Sequence, residues 1–570
     1  MTQEERYKIT SNEYADLIIP YNENIAIFEK YKNYSVHIMN SGIAILYIPV
    51  KEFNQRINRT FGYSAIPTCF GITNERSLEV SGVNKLRRLP VFDLRGKGVL
   101  IGILDSGIDY TNPIFQYPDG TTKIVAIWDQ TIDSVNGYPS DTFYGTEYIR
   151  EQINEALANE NPYDVVPSRD EIGHGTMMAG IAAGSSVIEN KFSGVVPDSE
   201  LVIVKLKQAK SLIRGYFVIP EEIPCYQEND IMWGAQYLIR IARKLNRPIA
   251  IAVGLGTSSG AHDGRGYLSS LLSIGGDFPG VTVTIAAGNE GNARRHYYGT
   301  INPSIGYETV ELYIDENETG FSMEIWGRAP NTYSIDILSP SGEYVPRIME
   351  SLFVSRQVSF VFEETEIIVD YHMVESQTGD QLILLRFRKP SPGIWRFQVY
   401  GRGDLKGTFH AWLPMNGFLS DKTYFVQSNP YTTITSPGNA TVPITVTAYN
   451  PYNEALYTYA GRGYSRIDTI KPELAAPGVN MLSPNLEHGF MEVSGTSVAA
   501  AHTAGITAML LEWGTVRGNY PGIDTVEIKK FLVKGARRND LLMYPNRDWG
   551  YGLLDIYNVF NTLRSSILKR

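Results

Sequence analysis

The sequence predicts an α/β protein: a parallel sheet with helices on both faces, preceded by a small α+β unit and interrupted by an antiparallel β-sandwich. Three observations carry this. Short, fully apolar segments alternate with helical ones between about 95 and 300, the mark of strands buried in a parallel sheet. From about 301 to 430 the helical pattern stops, and short alternating segments split by Gly, Pro and Asn turns take over, as in a two-sheet sandwich. Apolar strand and helix texture then returns, so the sandwich reads as an insertion into one α/β domain.

Residues 1–75 read as a separate α+β unit, with YSVHIMNSGIAILYIPV (34–50) as strand, Asn-Ser-Gly turn and strand, and KEFNQRINRTFGY (51–63) as a helix. Residues 76–300 hold the first part of the main domain. Its strands are GKGVLIGILDSGID (96–109), LVIVKLK (201–207), PIAIAVGLG (248–256) and VTVTIAAGN (281–289), each ending in polar or glycine residues. HGTMMAGIAAG (174–184) and DIMWGAQYLIRIARKL (230–245) are its helices. Residues 301–430 hold the sandwich, where Trp326, Tyr333, Trp395 and Tyr400 are expected to face the core. Residues 431–570 return to the main domain with ATVPITVTAYN (440–450) and a long helical pattern at 496–514.

A chain of 570 residues that is 43% hydrophobic and 20% charged has the composition of a globular protein with large cores. Its net charge of −10 and lack of any basic run argue against a nucleic-acid partner. No uncharged apolar stretch reaches the ~18 residues of a membrane span, so no membrane partner is expected. The N-terminus MTQEERYKITSNEYADLIIP lacks the pattern of a signal peptide, which points to a cytoplasmic protein, kept inside the cell that makes it. Cys69 and Cys225 form neither a disulfide framework nor a metal motif. Asp and Glu stand in loops without a spaced calcium pattern, so no metal or other cofactor is assigned.

Four polar residues stand where this sheet would bind a ligand, beyond the carboxyl ends of its strands. Asp105 closes an apolar strand, His174 opens a helix between glycines, Asn289 follows a strand, and Ser497 opens the helix in VSGTSVAAAHTAG (493–505). Separately, each is as readily a turn residue, a structural histidine or a helix cap. Together they are the set that nucleophilic hydrolysis needs. Ser497 attacks a carbonyl, His174 takes its proton, Asp105 orients the imidazole, and Asn289 with the Ser497 N–H receives the oxyanion.

ILDSGID, GHGTMMAG, AAGNEG and SGTSVAAAHTAG, in the order Asp, His, Asn, Ser, resemble the signature segments of subtilisin-like serine proteases. IKPELAAPGVNMLS (470–483) resembles a fifth. The resemblance covers about 95–300 and 431–570. It implies a subtilisin-like parallel sheet, a protein substrate, and a substrate-binding cleft at Gly254, Leu255, Gly256, Ala287 and Gly288. Two departures stand out: Ser494 where the family usually has Asn, and Gly254 where it usually has Ser, which would loosen specificity or widen a pocket. His502 reads as packing on the helix and His262 as a loop residue.

The insertion and the N-terminal unit resemble a narrower group, the Csp-type germination subtilases of clostridia and their paralogues. That resemblance implies a jelly-roll insertion that rigidifies the protease. It also implies a self-cleaved prodomain that stays in the active site, cut within about 64–80, and limited proteolysis of a zymogen such as a spore cortex hydrolase. Some relatives are catalytically silent signalling proteins. The complete triad here favours an active enzyme, with a silent scaffold or a general intracellular protease as the alternatives.

Overall fold

The computed structural model describes residue 8 and residues 13–52 and 79–567, apart from 22–23, 39–42, 90–91, 133, 135–136, 140–141, 143, 210, 351–352, 376 and 404. Most of the helix expected at 51–63, Cys69, and nearly all of the stretch 64–80 lie outside these residues. The chain divides into two compact units, Met1–Ile72 and Thr73–Arg570.

In the first unit, β1 (Tyr14–Pro20), β2 (Ser35–Ile38) and β3 (Ile43–Pro49) form an antiparallel sheet of order β1-β3-β2. Ile19, Leu46 and Ile48 make its small core.

The second unit is built on an eight-stranded sheet. Its first strands are β4 (Leu100–Asp105), β5 (Ile124–Asp129), β6 (Thr146–Ile149), β7 (Glu200–Lys205), β8 (Ile249–Val253) and β9 (Val281–Ala286). The sandwich strands follow: β10 (His296–Thr300), β11 (Tyr307–Ile314), β12 (Gly320–Gly327), β13 (Thr332–Leu338), β14 (Tyr344–Ile348), β15 (Phe353–Ser359), β16 (Glu366–His372), β17 (Gln381–Arg388), β18 (Gly393–Arg402), β19 (Thr408–Trp412) and β20 (Tyr424–Phe425). Then β21 (Ile444–Tyr449) and β22 (Leu474–Pro477) complete the main sheet, whose order is β22-β21-β9-β8-β4-β7-β5-β6. All neighbours pair in parallel except the edge strand β6.

Alternate residues of each strand feed opposite cores, as the pleat dictates. Ile101 and Ile103 join one core, with α1 (His174–Ala183) and α4 (Thr496–Leu511). Leu100 and Leu104 join the other, with α2 (Glu228–Lys244) and α3 (Tyr267–Gly276). Every residue of α4 is buried. Its small side chains permit that, and a Cβ on Gly505 would come within 2.4 Å of Val195. The helix is apolar all round because it is covered all round. Thr282 on β9 reaches Thr507 on α4 at 2.9 Å, so the few buried hydroxyls at this contact are paired. The helix continues past Leu511 as a π-turn over Glu512–Val516, where the sequence pattern runs on to 514.

Lys123 is 1% exposed, just ahead of β5. Its ammonium donates to the carbonyls of Ala183 and Pro197, both at 2.6 Å, and to Ser185 Oγ at 3.4 Å. It thereby ties the two ends of the loop that follows α1.

The insertion consists of a six-stranded sheet, β10-β19-β12-β17-β16-β15, and a five-stranded sheet, β14-β13-β18-β11-β20, both antiparallel. Its first strand starts at His296, a few residues ahead of the expected 301. Trp395 and Tyr333 lie in the sandwich core, as the sequence suggests. Trp326 and Tyr400 do not. Each stands an odd number of residues from an inward neighbour on its own strand, Phe321 and Trp395, so the pleat turns it to the other face. Trp326 packs instead with Trp412 and with Ala261 of the main domain. Tyr400 donates its hydroxyl to Asp336 at 2.9 Å.

Candidate active site

Asp105 is the last residue of β4, His174 the first of α1, and Ser497 the second of α4. Asn289 stands three residues beyond β9. The parallel sheet delivers all four to one end, the carboxyl ends of its strands.

His174 Nδ1 lies 2.8 Å from Asp105 Oδ1, and its Nε2 lies 3.0 Å from Ser497 Oγ. A carboxylate only accepts, so Nδ1 carries the hydrogen and Nε2 turns a lone pair to the Ser497 hydroxyl. Asp105 is 1% exposed and Ser497 8%, while about a third of the His174 side chain, 32%, remains open. Burial works against an imidazolium at His174. The Asp105 carboxylate overcomes it by charge and hydrogen bond, Asp170 adds to it, and the net shift is upward.

The start of α1 is pinned from three sides. Asp170 Oδ1 accepts the N–H groups of Ile172 and Gly173, and its Oδ2 accepts the N–H and hydroxyl of Thr176. The Thr176 hydroxyl in turn accepts the Asp109 N–H. Ser106 Oγ accepts the Gly175 N–H at 2.9 Å. A Cβ on Gly175 would fall 2.1 Å from the Gly107 carbonyl oxygen, so only glycine lets the helix come this close to β4.

Asn289 Oδ1 accepts the N–H of Thr496 at 3.2 Å and its hydroxyl at 3.1 Å. Thr496 Oγ1 also accepts the Gly288 N–H. With its oxygen occupied, the Asn289 amide presents its NH2 the other way. A Cβ on Gly495 would lie 3.8 Å from Asn289 Nδ2 and 3.5 Å from Ser497 Oγ, so one atom placed there would touch both. The first N–H groups of α4 lack helical acceptors, which adds donors there.

The five expected cleft residues divide. Among the described residues, Gly254–Gly256 beyond β8 makes no main-chain hydrogen bond. The 287–288 segment is paired throughout: Ala287 with Val446 and Thr435, Gly288 with Thr496 and Gly461. Leu255 packs toward the α2–α3 core. Gly254 opens no pocket, because a Cβ there would sit 2.3 Å from Met178 Sδ; the Met178 thioether takes that space. Thr435 lies between the two segments, with Oγ1 2.3 Å from a Cβ placed on Gly256 and 2.4 Å from one on Gly288. Nothing local in the sequence marks Met178, Thr435 or Asp170.

His502, His262 and Cys225 are buried structural residues. His502 is fully buried, meets Ser81 Oγ at 3.0 Å, and is pushed by burial down to about 3. His262 stacks on Trp412 at 4.2 Å, its ring nitrogens facing the carbonyls of Ile434 and Ser258. Burial raises the Cys225 thiol. Among the described residues, no three His, Cys, Asp or Glu side chains gather as a metal site, and no helix is long and apolar enough to cross a membrane.

A family model described as the subtilase family matches residues 96–306 and 420–552. The chain belongs to the subtilase family. Among curated relatives, this subtilase is 24% identical over 470 residues to the subtilisin-like protease SBT3.17 of Arabidopsis thaliana, covering 78% of this chain and 57% of that one. It is 23% identical over 482 residues to the minor extracellular protease Vpr of Bacillus subtilis, covering 81% of this chain and 51% of that one. The chain thus spans about half the length of the curated relatives it matches. Among solved structures it is similar to the Clostridium perfringens CspB protease, with 30% identity and a TM-score of 0.76 over 86% of this chain and 98% of that one.

Proposed function

We propose that this subtilase is a serine endopeptidase. The observation that carries the reading is the continuous contact from Asp105 through His174 to Ser497, with Asn289 Nδ2 and Ser497 Oγ close enough that one atom would touch both. A substrate strand adds to the open edge of Gly254–Gly256 and puts its carbonyl carbon at Ser497 Oγ. Ser497 attacks, and its proton passes to His174 Nε2. Asn289 Nδ2 and the Ser497 N–H hold the oxyanion, a contact worth about two to three decades of rate per donor in such sites. His174 then protonates the departing amine, and water attacks the acyl-enzyme by the same route.

The unit Met1–Ile72 is its prodomain, cut by Ser497 within 64–80, and the physiological task is limited proteolysis of a protein zymogen during spore germination. The segment order and the likeness to the CspB protease support this. Intact-mass analysis of wild type and Ser497→Ala tests it, with a fluorophosphonate label on both. Expected are two fragments and a labelled serine in the wild type, and one intact unlabelled chain in the variant. A wild type that stays whole and unlabelled overturns the reading and leaves a silent scaffold. Equal cutting of both proteins overturns the self-cleavage.

A further inference from the structure

The chain leaves the main domain for the sandwich just after Asn289, and the sandwich loop between β19 and β20 comes back beside that crossing. Asn416, in this loop, donates through Nδ2 to the main-chain oxygen of Asn289 at 3.0 Å. Its own N–H donates to Glu290 Oε1, also at 3.0 Å. Glu290 is 3% exposed, and burial raises its carboxyl despite the neighbouring Arg295 guanidinium. Arg295 is 3% exposed. It lies 3.8 Å from Glu290, ion-pairs with Asp421 at 3.1 Å, and donates to the Pro414 carbonyl at 3.4 Å. The Leu413 N–H donates back to the Arg295 carbonyl at 2.9 Å. These contacts make a closed ring around the residue that holds the oxyanion.

Asn289 is therefore gripped twice. Thr496 fixes its side-chain oxygen, and Asn416 fixes its main chain. An oxyanion donor works only if it waits in place, since any reorientation is spent during the reaction. The main chain is held on either side, by the Gly461 N–H on the Gly288 carbonyl and by the Gly291 N–H on the Tyr459 carbonyl, and the Asn416 bond fixes the Asn289 carbonyl between them.

We propose that Asn416 is a positioning residue for hydrolysis, supplied by the inserted sandwich, which acts through Asn289 to hold its amide aimed at the oxyanion. This rests on the endopeptidase reading above. Asn416 touches neither Ser497 nor His174 among the described contacts and acts through Asn289, whose amide meets negative charge only as the oxyanion forms, so its removal is expected in kcat rather than KM.

The test is a double-mutant cycle on the full chain with a fluorogenic peptide mixture, which isolates coupling between two residues. Asn416→Ala lowers kcat about tenfold, part of the two to three decades of a lost donor, and leaves KM within about twofold. In an Asn289→Ala background the same change costs nothing further, because the group it positions is gone. Asn416→Ser, which like the alanine variant keeps the main-chain N–H to Glu290 but retains a polar side chain, is run through the same cycle in case the alanine variant fails to fold. An unchanged kcat overturns the proposal. So does a loss of equal size in both backgrounds, which is the mark of a merely structural residue. Lack of Ser497-dependent hydrolysis in the wild type is a separate result that removes the endopeptidase reading itself, and this proposal with it.

Discussion

Replacing Asp105 by Asn separates the charge of the carboxylate from its hydrogen bond. Asp105 Oδ1 accepts both His174 Nδ1 and the Ser106 N–H, at 2.8 and 2.7 Å, while Oδ2 is buried without a partner among the described residues. An asparagine keeps both bonds by placing its oxygen at the Oδ1 position. The flipped amide would drive an NH2 against the Ser106 N–H. The reactive tautomer therefore survives in Asp105→Asn, and what is lost is the negative charge facing the imidazolium that forms in the transition state. For centres ~4 Å apart at an effective dielectric of ~20, that charge is worth about 4 kcal/mol. This corresponds to roughly a thousandfold in kcat/KM. The buried NH2, left without an acceptor, costs a further 1–3 kcal/mol or so of stability. The raised His174 titration falls with the charge, and because only the neutral imidazole is a base, the rising limb of the rate profile moves to lower pH. The raised titration also fixes a sign for folding. The pair's contribution is complete below the unfolded-state pKa of histidine and is lost as pH rises through the folded one, a dependence the variant lacks. The assay is kcat/KM against pH, with urea unfolding alongside. A loss under tenfold, or a rising limb that stays in place, refutes the reasoning.

Three further outcomes follow from contacts in the same region. Thr435→Gly empties the space that its buried side chain fills between Gly256 and Gly288 and lowers the unfolding free energy by about 1–3 kcal/mol, read from urea unfolding. Gly254→Ser forces Met178 aside, costs about 1–3 kcal/mol in urea unfolding, and recovers most of that when combined with Met178→Ala. Lys123→Met strands the carbonyls of Ala183 and Pro197 without a donor and lowers the unfolding free energy by about 2–5 kcal/mol, measured by urea titration.

Asp105, His174, Asn289 and Ser497 were legible because each closes a strand or opens a helix between small residues, a local pattern a single sequence carries. The parallel sheet was legible for the same reason: buried strands are apolar runs. What escaped were residues whose role depends on distant partners. Thr435 matters through two glycines far back in the chain, and Asn416 through a carbonyl reached across the whole insertion. Met178 carries no local mark within HGTMMAGIAAG, yet it fills the space beside Gly254 that the missing side chain suggests is open. Lys123 carries no local sign of burial, because its ammonium is held by a loop more than fifty residues away. Trp326 escaped because composition names a side chain without naming the face of the sheet it stands on.

The burial of α4 along its whole length settles how this site can be lost. Segments that open by local fluctuation are those with few buried contacts, whereas a helix enclosed on all sides exchanges its amide hydrogens only when the molecule opens as a whole. Ser497 rides on such a helix. Heat or denaturant does not disarm it ahead of general melting, and a truncation that spares the fold spares the serine. A change at the site that precedes melting therefore has to start elsewhere, at the third-open His174 or along the unpaired 254–256 segment.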